Sequence, residues 1–107
     1  MKLIPLIGAL LLSTAPVQAI ETWDELDKRC QDEGVHELCE GSIFYGSALS
    51  GYTVLCGLSE QGSISPEVFA DRAGSPEFYT GFEKHMWNVG LKDVLKQFPN
   101  CPIKLAP

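Results

Sequence analysis

Apolar residues recur along the chain at the spacing of helices that bury one face. After residue 19, most of the sequence places an apolar side chain every three or four residues, which is the period of an amphipathic helix. In the first such segment Trp23 and Leu26 share a face, and Thr22 with Glu25 has the pattern of a capping box at a helix start. Gly34 marks the end of this segment. The pattern therefore predicts a first helix that starts at Thr22 and ends before Gly34.

The second predicted helix, residues 36–58, is apolar but contains many small residues. Glycines in a helix interior cost about 1 kcal/mol each relative to alanine, so we expect another helix to approach closely where they lie. A strand over residues 52–55 is the alternative for part of this segment. A homodimer through this helix stays open, and exposure of Tyr45 and Tyr52 would favour it. The small residues are Gly41, Ser42, Gly46, Ser47, Ala48, Ser50 and Gly51.

Two further helix starts share one pattern, with Ser at the N-cap, Pro at the first helical position and Glu in the first turn. They are Ser65-Pro66-Glu67 and Ser75-Pro76-Glu77. The third predicted helix is therefore short, at about 66–73, and the fourth is long, at about 76–97, before Pro99 ends it. Its apolar positions form two stripes, Phe78, Phe82, Met86 and Val89, then Leu91, Val94, Leu95 and Phe98.

The first 19 residues have the layout of a secretory signal peptide. Lys2 gives a positive start, residues 3–12 are an apolar run too short to span a membrane, and Val17-Gln18-Ala19 places small residues where a signal peptidase cuts. We therefore expect cleavage after Ala19 and a mature domain of residues 20–107 that is periplasmic or secreted. A retained N-terminal anchor is the alternative. We expect no other segment to cross a membrane.

All four cysteines lie in the predicted mature part, and export to an oxidising space makes two disulfides the expected state. A zinc site is the competing interpretation, but it usually needs pairs of ligands about two to four residues apart. Successive cysteines here are 9, 17 and 45 residues apart. Antiparallel neighbouring helices would bring Cys30, which ends the first helix, to Cys39, which opens the second. The fourth helix would bring Cys101 to Cys56. We therefore predict the pairs Cys30–Cys39 and Cys56–Cys101.

Together these features predict an all-α protein, a small disulfide-stapled bundle of about four helices in one domain. A mature chain this short buries a limited core and is often marginal without cross-links. On a chain-entropy model the two disulfides contribute at most about 2.7 and about 4 kcal/mol. These contributions are comparable to the whole stability expected of so small a domain.

Charge is unevenly distributed, with 14 acidic and 8 basic side chains and a net charge of −6. The acids concentrate between Glu21 and Glu40. This composition disfavours a nucleic-acid partner, which needs a basic face, and suits a basic protein partner. For any single acid, a solvated surface position is the simpler interpretation. The candidate partner-binding residues are Asp24, Glu25, Asp27 and Glu37.

The sequence offers little that could carry out catalysis. It contains no nucleophile elbow, glycine-rich phosphate loop or zinc-protease motif, and His36 and His85 stand alone. Lone histidines of this kind are more often packed or surface-bound than catalytic. We therefore predict a protein that is not an enzyme and that has no cofactor and no metal. The candidate interface aromatics, most of them expected in the core and at least one exposed, are Trp23, Tyr45, Tyr52, Tyr79 and Trp87.

The segments around the cysteines carry a family resemblance. Cys39-Glu40-Gly41-Ser42-Ile43-Phe44-Tyr45-Gly46, with Cys30 before it, Cys56 after it and Phe98-Pro99-Asn100-Cys101 near the chain end, resembles the Rap/Tai family of small periplasmic immunity proteins. The chain departs from the family pattern in the inserted Asn100 and in lacking a proline after the third cysteine. The resemblance implies a helical, disulfide-bonded periplasmic protein that binds and neutralises a toxin delivered by type VI secretion, often a peptidoglycan amidase.

Two other interpretations compete with an immunity-like binding protein. The first is a periplasmic stress protein similar to the small helical acid chaperones, which would bind many clients at low pH as its carboxylates lose charge. The second is an accessory subunit of an envelope complex. A tight complex with one cognate toxin would distinguish the immunity-like protein from both.

Overall fold

The computed structural model describes residues 20–34 and 36–107, and within them four helices form a bundle without any strand. The predicted all-α, disulfide-stapled fold is confirmed. Residues 52–55 belong to the second helix, so the strand alternative is wrong. The predicted signal peptide, residues 1–19, lies outside the described residues. The helices are α1 (Trp23–Glu33), α2 (His36–Glu60), α3 (Pro66–Arg72) and α4 (Gly81–Gln97).

The ends of α1 follow the predicted capping chemistry with one difference. The Thr22 hydroxyl accepts a hydrogen bond from the backbone N–H of Glu25 at 3.2 Å, as expected of an N-cap residue. The Glu25 carboxylate accepts from the N–H of Glu21, not of Thr22, so the reciprocal half of the capping box falls one residue earlier. Gly34 ends the helix with φ at 63°, a left-handed conformation that glycine adopts without strain.

The predicted start of the last helix at Pro76 is wrong, because α4 begins at Gly81. Thr80 is its N-cap residue and forms a full capping box with Glu83. The Thr80 hydroxyl accepts from the Glu83 N–H at 3.1 Å, and the Glu83 carboxylate accepts from the Thr80 N–H at 2.9 Å. Two reciprocal hydrogen bonds satisfy more backbone donors than a single serine cap at Ser75 would.

The central helices α2 and α4 run parallel to each other. Phe82, at the start of α4, lies against Gly41 near the start of α2. Gly90, in the middle of α4, lies against Tyr45, and the disulfide Cys56–Cys101 joins the far ends. The contacting positions advance in the same direction along both helices, so the helices are parallel. The segment that connects α2 to α4 must therefore run back along the whole length of α2.

The return is made by α3 and by residues 73–80. Phe69 of α3 packs edge-on against Tyr52, with ring centroids 6.4 Å apart. Further along, Phe78 lies 6.1 Å from Phe44 and 6.2 Å from Trp87. Because Phe44 precedes Tyr52 in α2, this segment runs back towards the start of α2. Anchoring of Phe78 between two rings accounts for the non-helical backbone just before α4.

Two glycines allow the close packing of α2 on α4. A Cβ at Gly90 would lie 2.7 Å from the carbonyl oxygen of Tyr45 and 2.9 Å from Cβ of Ala48. A Cβ at Gly41 would lie 2.7 Å from the Phe82 ring. The expected close approach is therefore confirmed at Gly41. Within the described chain no helix approaches Gly46 or Gly51, because no described atom lies within 4 Å of a Cβ added at either position.

The core consists of two clusters that meet at Phe44 and Leu49. Tyr45 and Tyr52 are both buried, so the exposure that would have favoured a homodimer through these rings is not found. The first cluster contains Ala48, Tyr52, Cys56, Phe69, Trp87, Leu91, Val94 and Ala106. The second contains Ile20, Leu26, Leu38, Tyr45, Phe82, Met86 and Val89.

Both predicted disulfides are confirmed. Cys30 pairs with Cys39 across the α1–α2 connection, with Cα atoms 5.0 Å apart. Cys56 pairs with Cys101 at the far end of the parallel pair, with Cα atoms 5.6 Å apart. The first cross-link holds α1 on α2, and the second holds the end of α4 and the C-terminal tail on α2.

We expect Gly90→Ala to destabilise the protein and Gly51→Ala, its matched control, to stabilise it. At Gly90 the new methyl meets backbone that cannot move aside, and overpacking of this kind costs about 1–3 kcal/mol. At Gly51 the methyl meets no described atom, and alanine gains about 1 kcal/mol in a helix interior. Urea unfolding measures both changes. Equal effects of the two substitutions would contradict the packing described above.

Loss of Cys56–Cys101 should destabilise the protein more than loss of Cys30–Cys39. The two cross-links close sequence separations of 45 and 9 residues, which correspond to at most about 4 and about 2.7 kcal/mol on a chain-entropy model. Each pair is replaced by two alanines so that no free thiol remains. Thermal unfolding of both variants ranks the two losses of stability. In the wild type, reductant should lower the stability by about the sum of the two losses. A melting curve unmoved by reductant would refute this account.

Candidate partner-binding site

α1 is fixed on α2 by contacts along its whole length. Leu26 is 1% exposed and belongs to the second core cluster. The indole of Trp23 stacks on the ring of Tyr45, with centroids 5.3 Å apart and planes 20° from parallel. At the other end of α1, Cys30 is bonded to Cys39. The outward face of α1 is therefore held in a defined position relative to the bundle.

The acidic residues predicted to bind a partner lie on this held helix. Asp24 and Glu25 are exposed, and Asp27 is half-buried and accepts a hydrogen bond from the Gln31 amide at 3.0 Å. Among the described residues, these three carboxylates take part in no ion pair. Their charge is therefore uncompensated by a paired cation, which leaves them open to a basic partner. The side chain of Glu37, the fourth predicted residue, lies outside the described part of the structure.

The second half of α1 carries little net charge. Arg29 forms an ion pair with Glu33 at 2.7 Å, and their hydrogen bond raises the pKa of the arginine and lowers that of the glutamate. Lys28 and Asp32 are both exposed on the same helix, and their opposite charges offset one another. The negative charge that is left in α1 therefore concentrates in its first half. We call Asp24, Glu25 and Asp27 with the neighbouring Trp23 the acidic surface.

Trp23 gives the acidic surface an apolar component. Its side chain is 38% exposed although one ring face is covered by Tyr45. Trp is enriched at energetically dominant positions of protein interfaces, because it buries a large area with few rotatable bonds. Tyr79, just before α4, is 86% exposed, so the prediction of at least one exposed aromatic is confirmed. Tyr45, Tyr52 and Trp87 lie in the core, also as predicted.

Tyr45 connects the acidic surface to the central helices. Its hydroxyl donates a hydrogen bond to the Asp93 carboxylate of α4 at 2.5 Å, and the Lys96 ammonium lies 3.2 Å from the same carboxylate. Burial, this hydrogen bond and the charges of Asp93 and Asp24 raise the pKa of Tyr45 to about 12. The phenol thus stays protonated and keeps its role as donor at neutral pH.

Each of the two histidines contacts a neighbouring group of the fold. The Nε2 atom of His85 is hydrogen-bonded to the carbonyl oxygen of Ile20, which attaches the segment before α1 to α4. His36 is exposed and lies 2.8 Å from the Glu40 carboxylate one turn further along α2. His85 is therefore packed, as predicted for a lone histidine on this helix.

The surface also contains clefts away from α1. A cleft of about 430 Å³ lies between Tyr52, α3 and the C-terminal tail, and one of about 250 Å³ lies beside Cys56–Cys101. In residues 20–34 and 36–107, no group of three His, Cys, Asp or Glu side chains is placed to hold a metal ion. Within the same ranges, no helix has the length and apolar character needed to cross a bilayer.

Comparison with known proteins finds no matching protein family, curated protein or solved structure. The class that the described residues define is a small all-α protein with two disulfides and an acidic outer helix.

Stability should fall between about pH 10 and about pH 12 because of Tyr45. The unfolded chain releases the phenol proton near the ordinary pKa of 10.0, whereas the folded protein keeps it to about 12. The corresponding stability is complete below pH 10 and is lost as pH rises through this window, by up to about 3 kcal/mol. Tyr45→Phe should remove this component of the pH dependence.

Urea unfolding at several pH values measures the effect. Burial also raises the pKa of Tyr52, so the decisive quantity is the difference between the wild type and Tyr45→Phe. Tyr79→Phe is the matched control, because it removes a phenol from the surface and none from the core. The same alkaline loss in wild type and Tyr45→Phe would show that the phenol of Tyr45 is not responsible.

Proposed function

We propose that this protein is an exported binding protein whose acidic surface binds a basic protein partner, and that the partner is a toxin which it neutralises. Export is supported by the layout of residues 1–19, and disulfides fit an oxidising compartment. The immunity-like role is supported by the resemblance to the Rap/Tai family. The protein acts by occupying a surface of its partner, without chemistry of its own.

The observation that carries the proposal is the held position of unpaired carboxylates on α1. A charged side chain on a flexible segment loses conformational freedom when it binds, whereas one on a pre-positioned helix loses less. Asp24, Glu25 and Asp27 lie within little more than one helical turn, beside the half-exposed ring of Trp23. Complementary charge would speed the encounter with a basic partner, and the indole would supply buried apolar area.

The first experiment is affinity capture from envelope extract, with the oxidised protein as bait and mass spectrometry of the retained proteins. One stoichiometric partner with hydrolase character and a basic surface supports the proposal. Many clients that bind only in acid would instead indicate a protein similar to the acid chaperones. Stable incorporation into a larger envelope assembly would indicate an accessory subunit.

Neutralising the acidic surface should weaken binding of the captured partner. We expect Asp24→Asn with Glu25→Gln and Asp27→Asn to lower the affinity about tenfold at low salt and less at high salt, because exposed charges are screened. The matched control neutralises Glu67, Asp71 and Glu77, which are exposed outside α1. Titration calorimetry of both triple variants measures the change, and circular dichroism checks that α1 stays folded without the Glu25 carboxylate. Equal affinities of the two variants would remove α1 from the interface.

A further inference from the structure

The side of α2 that faces away from α4 is left uncovered by the described residues. Ile43, Ser47, Ser50 and Val54 follow one another at intervals of four, three and four residues, which places them in one stripe along the helix. All four are exposed, and the two aliphatic residues are each 61% exposed. We call these residues, with Gly46 and Gly51 at the edges, the open face of α2.

The open face has the character of a surface that is buried in an assembly. From Gly41 to Ser59, α2 contains no charged residue, although the whole chain is strongly acidic. Gly46 and Gly51 each cost the helix about 1 kcal/mol relative to alanine. No described atom lies within 4 Å of a Cβ added at either position, so nothing inside the described fold requires them. An exposed helix face without charge, with large aliphatics and glycines, is consistent with close approach of another helix.

The order of residues on the open face indicates which helix approaches. Outward from the midpoint between Ala48 and Leu49, the same types of residue occur at the same distances in both directions along α2. Ser47 mirrors Ser50, and an aliphatic residue at 43 mirrors one at 54. The glycines at 46 and 51 mirror each other as well. A two-fold axis through this midpoint would bring each residue against its counterpart in a second copy, and a surface that is complementary to itself is the requirement for a symmetric dimer.

We propose that the open face binds a second copy of this chain, with the two α2 helices antiparallel. Ile43 of one protomer packs on Val54 of its partner at both ends of the contact. Ser47 and Ser50 meet between them, and the glycines let the two backbones come close. The intervals of four and three residues are those at which side chains of paired helices interdigitate.

The charges of the chain favour this face over others for contact between copies. Two molecules that each carry a net charge of −6 repel one another. Residues 43–54 are free of charge, so two copies can meet there without opposing like charges. The contact covers only about 16 Å of helix. The area that it buries is therefore smaller than the roughly 800 Å² per partner of a typical stable interface. The dimer is therefore weak, with a Kd between about 10 μM and about 1 mM.

Sedimentation velocity over a range of concentrations up to about 1 mM tests the proposal with the oxidised protein. Ile43→Lys and Val54→Glu should each weaken dimerisation at least tenfold, because each puts a charge against an aliphatic side chain. The double variant should regain dimerisation within about threefold of wild type. In an antiparallel pair each new lysine lies opposite a new glutamate of the partner protomer.

The double variant also fixes the direction of pairing. Positions 43 and 54 are about 16 Å apart along one helix, so the restored pair cannot form within one protomer. In a parallel dimer like charges would face each other and the double variant would not recover. Val68→Glu is the matched control, because Val68 is exposed on α3, and it should dimerise as wild type does.

A monomer at all concentrations, or single variants that dimerise like wild type, would overturn the proposal. Failure of the double variant to recover would overturn the antiparallel pairing. Circular dichroism of every variant verifies that helicity is retained. The acidic surface of α1 does not enter this experiment, so its outcome is independent of the proposed toxin partner.

Discussion

The packing of α2 against α4 at Gly90 is the contact on which the rest of the structure depends. The absence of a side chain there lets the carbonyl of Tyr45 and the methyl of Ala48 approach the backbone of α4. Near this contact the Tyr45 hydroxyl reaches Asp93. Further along the same parallel pair, Cys56 arrives beside Cys101. A larger residue at position 90 would separate the helices, and each of these interactions would have to adjust.

The position of α1 also depends on the packing of α2 against α4, because Tyr45 connects α1 to α4. Trp23 stacks on the ring of Tyr45, and Tyr45 is itself fixed by the Asp93 carboxylate of α4. Leu26 lies in a core cluster that also contains Met86 from α4. The orientation of the acidic surface is thus set by the central helix pair through Tyr45. Binding through α1 would therefore be sensitive to packing defects far from the carboxylates.

Much of the fold could be predicted from the sequence, because helix period, caps and cysteine spacing are local signals. Simple antiparallel topology was enough to choose Cys30–Cys39 and Cys56–Cys101 from the possible pairings. The start of α4 was not predictable in this way. Ser75-Pro76-Glu77 is a sound local start, but contacts of Phe78 with distant rings hold that segment out of the helix, and tertiary packing outweighed local preference.

The same distinction between local and distant signals applies to the candidate site. The exposure of Asp24 and Glu25 could be predicted from helix position and charge alone. The half-exposed state of Trp23 could not, because it depends on Tyr45 lying beneath the indole. The sequence also does not indicate which glycines of α2 are covered by another helix. Gly41 and Gly51 have equal local signals, yet only the three-dimensional path of α4 determines that Gly41 is covered and Gly51 is not.

The two disulfides differ in how much of the chain must be present before each can form. Cys30 and Cys39 are 9 residues apart in neighbouring elements, so their short loop closes rapidly. Cys56 and Cys101 are 45 residues apart and require the complete return through α3. Folding of this bundle is thus slowed by non-local contacts in spite of its helical content. Until this return is complete, the apolar side of α2 is not covered by α4. The thiol of Cys56 also stays unpaired until Cys101, near the C-terminus, reaches it.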